Sequence, residues 1–214
     1  MPFAYAAWHP TAPEPLPTIV ALHGHGADGQ DLLGLAPLLA GGRVMMLCPQ
    51  AEFALSPGIS AYTWFHRDAG GQRTIEEFER VAAGLRAFIE EMVPRCGGDP
   101  ARTVILGFSQ GGTLAYRIGL AEPGRFAGVA ALSTYFPDDV AGALPGTPLG
   151  EVPLLVQHGT FDPMIAVQRA QTSRDLLRAI GASPEYHEYP MQHEIGRESM
   201  VDLSEWLERV LDLP

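Results

Sequence analysis

The chain has 214 residues, 46% of them hydrophobic and 18% charged, a composition that folds around one core and excludes a disordered or fibrous chain. Its formal net charge is −11, with no lysine and only scattered arginines, so the mean field repels phosphate backbones and anionic membrane surfaces, and nucleic acid is excluded as a partner. No apolar run reaches the ~20 residues needed for stable membrane insertion, and the two cysteines, Cys48 and Cys96, have no spacing that suggests a disulfide framework or a metal site.

Met1 to Trp8 are apolar but lack the basic start and the length of a secretion signal, which leaves a cytoplasmic location as the default expectation. An edge strand is expected near Phe3 to Trp8, and a buried one from Thr18 to Leu22. The loop that follows, His23-Gly24-His25-Gly26-Ala27-Asp28-Gly29, has three glycines directly after a buried strand. There the backbone can turn an amide inward, and the N–H of His25 is the candidate donor to a developing oxyanion. His23 and His25 read as a metal pair lack further ligands nearby, so no metal is expected; His23 fits a structural hydrogen-bonding role under the loop.

A helix is expected over Asp31 to Leu39 and a strand over Val44 to Cys48. Pro49 to Arg73 resists assignment. The helix from Thr74 to Cys96 has the clearest signature: Thr74 and Glu77 form a T-x-x-E capping box, and Ile75, Phe78, Ala82, Leu85, Ile89 and Met92 share one face before Gly97 and Gly98 end it.

A strand from Thr103 to Leu106 runs into Gly107-Phe108-Ser109-Gln110-Gly111 and then a helix from Gln110 to Ala121. G-x-S-x-G at a strand-to-helix turn holds a serine nucleophile in a strained, projecting conformation, with glycines where the strand and helix backbones pass close together. The N–H of Gln110, unpaired at the helix start, is the second candidate oxyanion donor. The alternative is a glycine-rich turn with Ser109 as helix cap.

Downstream, a strand over Gly128 to Leu132 leads into an irregular segment, Thr134 to Glu151, and then a strand over Pro153 to Gln157. A helix from Ile165 to Ile180, a strand from Glu185 to Tyr189 and a helix from Arg197 to Leu211 complete the chain. Strands alternating with helices imply a mostly parallel, twisted sheet covered on both faces, an α/β class with no large cap and no internal domain boundary over 1–214. The two irregular segments follow strands and are candidate pocket walls.

A hydrolytic serine needs a base and a carboxylate that orients it, and in such a fold they follow in the order serine, acid, histidine. Of the histidines after Ser109, His187 lies within an alternating strand and His158 at a strand end before any suitable acid. His193 occupies the loop between the last strand and the last helix. Asp162 lies just past the strand ending at Gln157, whereas Asp138, Asp139 and Asp175 fit solvated surface roles.

These residues resemble the phospholipase/carboxylesterase family of small α/β hydrolases, which includes the acyl-protein thioesterases. The resemblance is carried by Leu22–Asp28, Thr63-Trp64-Phe65, Gly107–Gly112, Ala131-Leu132-Ser133, His158–Pro163 and Met191-Gln192-His193, in the family's order. It implies an α/β-hydrolase fold, the triad Ser109, Asp162 and His193, an oxyanion hole from the N–H groups of His25 and Gln110, and cofactor-free hydrolysis of carboxylic esters through an acyl-enzyme. His25 stands where thioesterase members usually carry an apolar residue, and Gln192 where glycine is common. Family members occur as monomers and as dimers, so a homodimer is left open.

The function expected is a carboxylesterase acting on small-molecule esters with short to medium acyl chains, with Trp64, Phe65, Tyr135 and Phe136 as candidates for an apolar acyl pocket. For these four the alternative is core or rim packing. Two rival readings are an acyl-protein thioesterase or lysophospholipase working on longer chains, and a catalytically silent binding module. An intact nucleophile, acid and base speak against the last.

Overall fold

The computed structural model describes residues 3–144 and 149–213. Its strands are β1 (Tyr5–Trp8), β2 (Leu16–Leu22), β3 (Met45–Pro49), β4 (Phe53–Ala54), β5 (Tyr62–Thr63), β6 (Gly98–Phe108), β7 (Gly128–Leu132), β8 (Leu154–Gly159) and β9 (Glu185–Tyr189). Its helices are α1 (Ile75–Arg95), α2 (Gln110–Gly119), α3 (Asp138–Ala143), α4 (Val167–Ala179) and α5 (Arg197–Val210). Seven strands form one sheet in the order β1-β3-β2-β6-β7-β8-β9. Only β1 runs antiparallel to its neighbour, as expected of a mostly parallel α/β sheet.

Every residue of β2, β3, β7 and β8 is buried, because helices cover both faces and successive side chains feed opposite cores. Val20 and Leu22 pack with Phe78 and Leu85 of α1 and Leu114 and Tyr116 of α2. Ile19 and Ala21 point the other way, toward Leu203, Trp206 and Leu207 of α5.

The sheet order places the site. From β2 the chain winds to β3 on one side, and from β6 it winds to β7, β8 and β9 on the other. Connections that leave neighbouring strands in opposite directions open a crevice at their carboxyl ends. The loops carrying His25, Ser109, Asp162 and His193 follow β2, β6, β8 and β9 and therefore share that edge.

Several local expectations are corrected. Asp31 to Leu39 is not an α-helix but turns, with short 3₁₀ pieces at Leu33–Leu35 and Leu39–Gly42; Gly34 lowers helix propensity and Pro37 lacks the N–H that a continuous helix needs. In α1, Ile75 is exposed, and the buried face runs through Phe78, Val81, Leu85, Phe88 and Met92. Thr74 Oγ1 accepts the Glu77 N–H at 3.3 Å, yet the Glu77 carboxylate does not close the capping box; it accepts the His66 N–H at 2.7 Å. Gly97, at φ +80°, ends the helix alone, and Gly98 already belongs to β6, where a Cβ would sit 2.5 Å from Met45 Cε and from Thr18 Oγ1. The segment from Pro49 to Arg73 contains the small antiparallel β4–β5 pair, and α3 lies within Thr134 to Glu151, of which residues 145–148 fall outside the described residues.

Candidate active site

Ser109 sits in the turn from β6 to α2 with φ 52° and ψ −115°, a conformation that costs a non-glycine residue about 1–3 kcal/mol. The surrounding backbone enforces it. A Cβ on Gly107 would lie 2.3 Å from the Gly111 carbonyl oxygen, and one on Gly111 would lie 2.2 Å from the Leu22 carbonyl oxygen. Strand and helix therefore meet at backbone contact, which only glycine permits. The turn is pinned further by the Ser109 N–H donating to Leu132 O at 2.9 Å and by Thr134 Oγ1 donating to Ser109 O at 2.7 Å.

Asp162 follows β8 and is buried. Its Oδ1 accepts the N–H groups of Met164 and Ile165, each at 2.8 Å, and its Oδ2 accepts from His193 Nδ1 at 2.7 Å. Burial opposes ionisation of this carboxyl, but the hydrogen bond from His193 and the two amides outweigh it and hold the pKa below the ordinary carboxylate value. With Nδ1–H committed to Asp162, His193 Nε2 is left as an acceptor, and it lies 2.9 Å from Ser109 Oγ. The His193 ring also rests against Phe108, centroids 4.9 Å apart. The structure thus brings together three side chains whose loops follow three different strands.

Gly159, at the end of β8, makes this approach feasible: a Cβ there would lie 2.3 Å from the carbonyl oxygens of Met191 and Gln192. Gln192 itself is exposed and its N–H donates to Glu194 Oε1 at 3.2 Å, so the glycine that permits close packing is on the facing loop. His158 is fully buried; its Nε2 donates to Ile165 O at 2.8 Å and lies 3.4 Å from Asp162 Oδ2, so it backs the carboxylate. His187 pairs with Glu185, Asp139 with Arg73 and Asp175 with Arg174, while Asp138 is exposed at the start of α3.

The loop after β2 lies against the serine, since a Cβ on Gly24 would be 3.4 Å from Ser109 Cβ. Among the described residues the main-chain N–H groups of His25 and Gln110 have no hydrogen-bond partner. His23 lies beneath. Its Nδ1–H donates to Gly24 O at 2.7 Å and its Nε2 accepts the Ala51 N–H at 3.1 Å; burial holds the imidazole pKa below its ordinary value. Both ring nitrogens are committed, which removes it as a metal ligand. Burial and Arg67 lower the pKa of His25 as well.

A model of the phospholipase/carboxylesterase family matches residues 7–211. The chain belongs to that family. Among curated relatives it is 29% identical to acyl-protein thioesterase 1 of Mycosarcoma maydis over 92% of both chains. Among solved structures, esterase PE8 matches with TM-score 0.84 and 24% identity over 98% of this chain and 100% of that one. The Bacillus cereus carboxylesterase matches with TM-score 0.81 and 20% identity, over 97% and 94% of the two chains. This family member is a hydrolase with the α/β-hydrolase fold.

The cleft of this hydrolase beside Ser109 has a volume of about 320 Å³ and is lined by His25, Gln110, His193, Tyr135, Arg67 and Arg169 among others. Of the four aromatic candidates, Tyr135 lines it. Trp64 and Phe65 are buried beneath the loops and Phe136 packs on Tyr116; none of the three is among the cleft's lining residues. Their segment has a different task. Gln110 Oε1 accepts from Thr63 Oγ1 at 3.1 Å and from the Trp64 N–H at 3.0 Å, and Gln110 Nε2 donates to Phe65 O at 3.0 Å. Trp64 Nε1 donates to His23 O at 2.8 Å. The T-W-F block thereby braces both candidate oxyanion donors from below. Sequence reasoning missed Gly159, Thr134 and His158 as supports, although each lies within or next to a quoted motif. It also left out Arg67 and Arg169 of the cleft wall, which carry no motif at all.

Proposed function

We propose that this hydrolase is a serine carboxylesterase acting on short to medium acyl esters. One observation carries the reading: the unbroken relay from Asp162 Oδ2 through the His193 ring to Ser109 Oγ, with links of 2.7 and 2.9 Å. Ser109 Oγ attacks the ester carbonyl as His193 Nε2 takes its proton, and Asp162 stabilises the imidazolium that forms. The oxyanion is received by the N–H groups of His25 and Gln110, donors worth about 10²–10³ in rate each. His193 then protonates the departing alcohol and, in the second half, draws a proton from the water that releases the acid.

The cleft, with Met164 and Ile165 beside Tyr135 and the polar residues around Ser109, has room for a short to medium acyl group. Ser109→Ala is expected to abolish 4-nitrophenyl butyrate turnover and fluorophosphonate labelling while leaving the circular dichroism spectrum unchanged; retention of most of the turnover rejects the assignment. A second reading, thioesterase action on longer acyl chains, is favoured by the relatives named acyl-protein thioesterase 1. A series of acyl chain lengths separates the two, with a preference for C8 and longer supporting the second.

A further inference from the structure

The cleft contains a charge pattern that ester hydrolysis alone does not require. Among the described residues most arginines are ion-paired: Arg43, Arg73, Arg80, Arg86, Arg95, Arg102, Arg117, Arg174 and Arg209 each meet a carboxylate. Arg67, Arg125, Arg169, Arg178 and Arg197 do not, in a chain with a net charge of −11, and of these five Arg67 and Arg169 line the cleft that contains Ser109 and His193. Among the described residues no Asp or Glu lines that cleft.

The two cations are positioned around one phenol. Arg169 lies over the Tyr135 ring, its guanidinium carbon 3.6 Å from the centroid, so the ring supports the cation through its face and, among the described residues, none of its side-chain N–H groups has a hydrogen-bond partner. Arg67 donates to the Tyr135 hydroxyl at 3.2 Å and to Gly71 O at 2.8 Å, which fixes its reach. Burial would raise the Tyr135 pKa, but Arg67, Arg169 and Arg73 together lower it, a sign that the local potential is positive. The adjoining basin, about 660 Å³, shares Arg67, Tyr135 and Arg169 and adds Arg73, Asp138 and Asp139. Arg73 is neutralised there by a pair with Asp139 at 2.8 Å, and Asp138 adds one negative charge at the basin's edge. The excess positive charge of Arg67 and Arg169 is therefore greatest on the cleft side, where no carboxylate is among the described lining residues.

We propose that Arg67 and Arg169, flanking Tyr135, form an anion-binding subsite, and that the esters this protein hydrolyses carry a carboxylate besides the scissile ester. A guanidinium fork matches a carboxylate with two parallel N–H···O bonds; Arg169 offers its whole fork, and Arg67, held by Gly71 O and the Tyr135 hydroxyl, adds its charge and its remaining N–H groups. This inference rests on the hydrolase reading of Ser109.

The test compares an anionic ester with its neutral counterpart, mono-4-nitrophenyl adipate against 4-nitrophenyl hexanoate, with spontaneous hydrolysis subtracted. The wild type is expected to prefer the anionic ester in kcat/KM by about tenfold or more, the scale of one charge-assisted hydrogen bond. The ratio should fall about tenfold in Arg169→Gln and in Arg67→Gln, should decline with added sodium chloride, and should be unchanged in Arg178→Gln, at the far end of α4. A wild-type preference for the neutral ester, or a ratio indifferent to both cleft arginines, overturns the proposal. Calorimetric titration of adipate into Ser109→Ala protein, with and without Arg169→Gln, separates the two layers. Adipate binding that requires Arg169 upholds the subsite even if ester turnover fails, and absence of binding with ester turnover intact rejects the subsite alone.

Discussion

Replacing Asp162 with Asn tests the chemistry more sharply than removing it, because the surroundings dictate which way the amide turns. Oδ1 accepts two main-chain N–H groups at 2.8 Å; an NH₂ placed there would face two donors, so the amide oxygen must stay. The NH₂ then takes the place of Oδ2 and points at His193 Nδ1, 2.7 Å away. His193 can answer only by accepting at Nδ1, which shifts its proton to Nε2, the atom 2.9 Å from Ser109 Oγ. The base becomes a donor toward the hydroxyl it should deprotonate. The variant also sets an NH₂ near His158 Nε2, which now lies 3.4 Å from a carboxylate oxygen. A wrong tautomer of this kind costs about 10³–10⁴ in kcat, roughly 4–5.5 kcal/mol of transition-state stabilisation. Steady-state kinetics on 4-nitrophenyl butyrate at pH 7.5, beside circular dichroism to confirm folding, measures it. A folded Asp162→Asn protein with a tenth or more of the wild-type kcat would refute the tautomer argument.

Further outcomes follow from the same geometry. Gly111→Ala should yield no soluble folded protein, since its Cβ would lie 2.2 Å from a β2 carbonyl oxygen that has no room to move; recovery of protein with a wild-type melting temperature contradicts the close approach. Gln110→Ala removes a side chain that satisfies buried groups of Thr63, Trp64 and Phe65 and is expected to cost about 1–3 kcal/mol, read as a lower midpoint in urea. The folded chain resists protonation of His23, whose pKa burial holds below 6.5, whereas the unfolded chain does not. Stability from this group is complete above pH 6.5 and drains away as pH falls toward the folded-state value. The Tm is therefore expected to drop between pH 7 and 5, with a shallower slope in His23→Asn. The depressed Asp162 carboxyl acts lower down: its contribution is present above about pH 4 and disappears as acid reaches its folded-state pKa.

The parallel sheet was legible because β2, β3, β7 and β8 are buried on both faces and so read as continuous apolar runs. The meeting of Ser109, Asp162 and His193 was legible because chain order and strand-end position restrict each choice to one loop. What escaped notice depends on tertiary context. β6 begins at Gly98, five residues before the apolar stretch, because a register shift against β2 lets polar Asp99 and Arg102 join the strand. Trp64 and Phe65 look the same in sequence whether they face a substrate or support a loop; only the Gln110 contacts decide. Arg67 and Arg169 are separated by a hundred residues, and nothing in either neighbourhood announces that both will border one phenol.

The glycine at position 159 links parts of the molecule that the sheet order keeps apart. Its bare α-carbon seats the Met191 and Gln192 carbonyls against the end of β8, so the loop bearing Asp162 and the loop bearing His193 are packed as one piece. Ser109 belongs to a second piece, clasped by Leu132, Thr134 and the turn at Gly24. The two pieces meet through the hydrogen bond from hydroxyl to imidazole, the contact of the Phe108 and His193 rings at 4.9 Å, and Ser133 Oγ donating to Glu194 O at 3.1 Å. Acid and base are therefore fixed to each other by backbone packing as well as by their own hydrogen bond, and the imidazole meets the nucleophile already holding its proton on the far nitrogen.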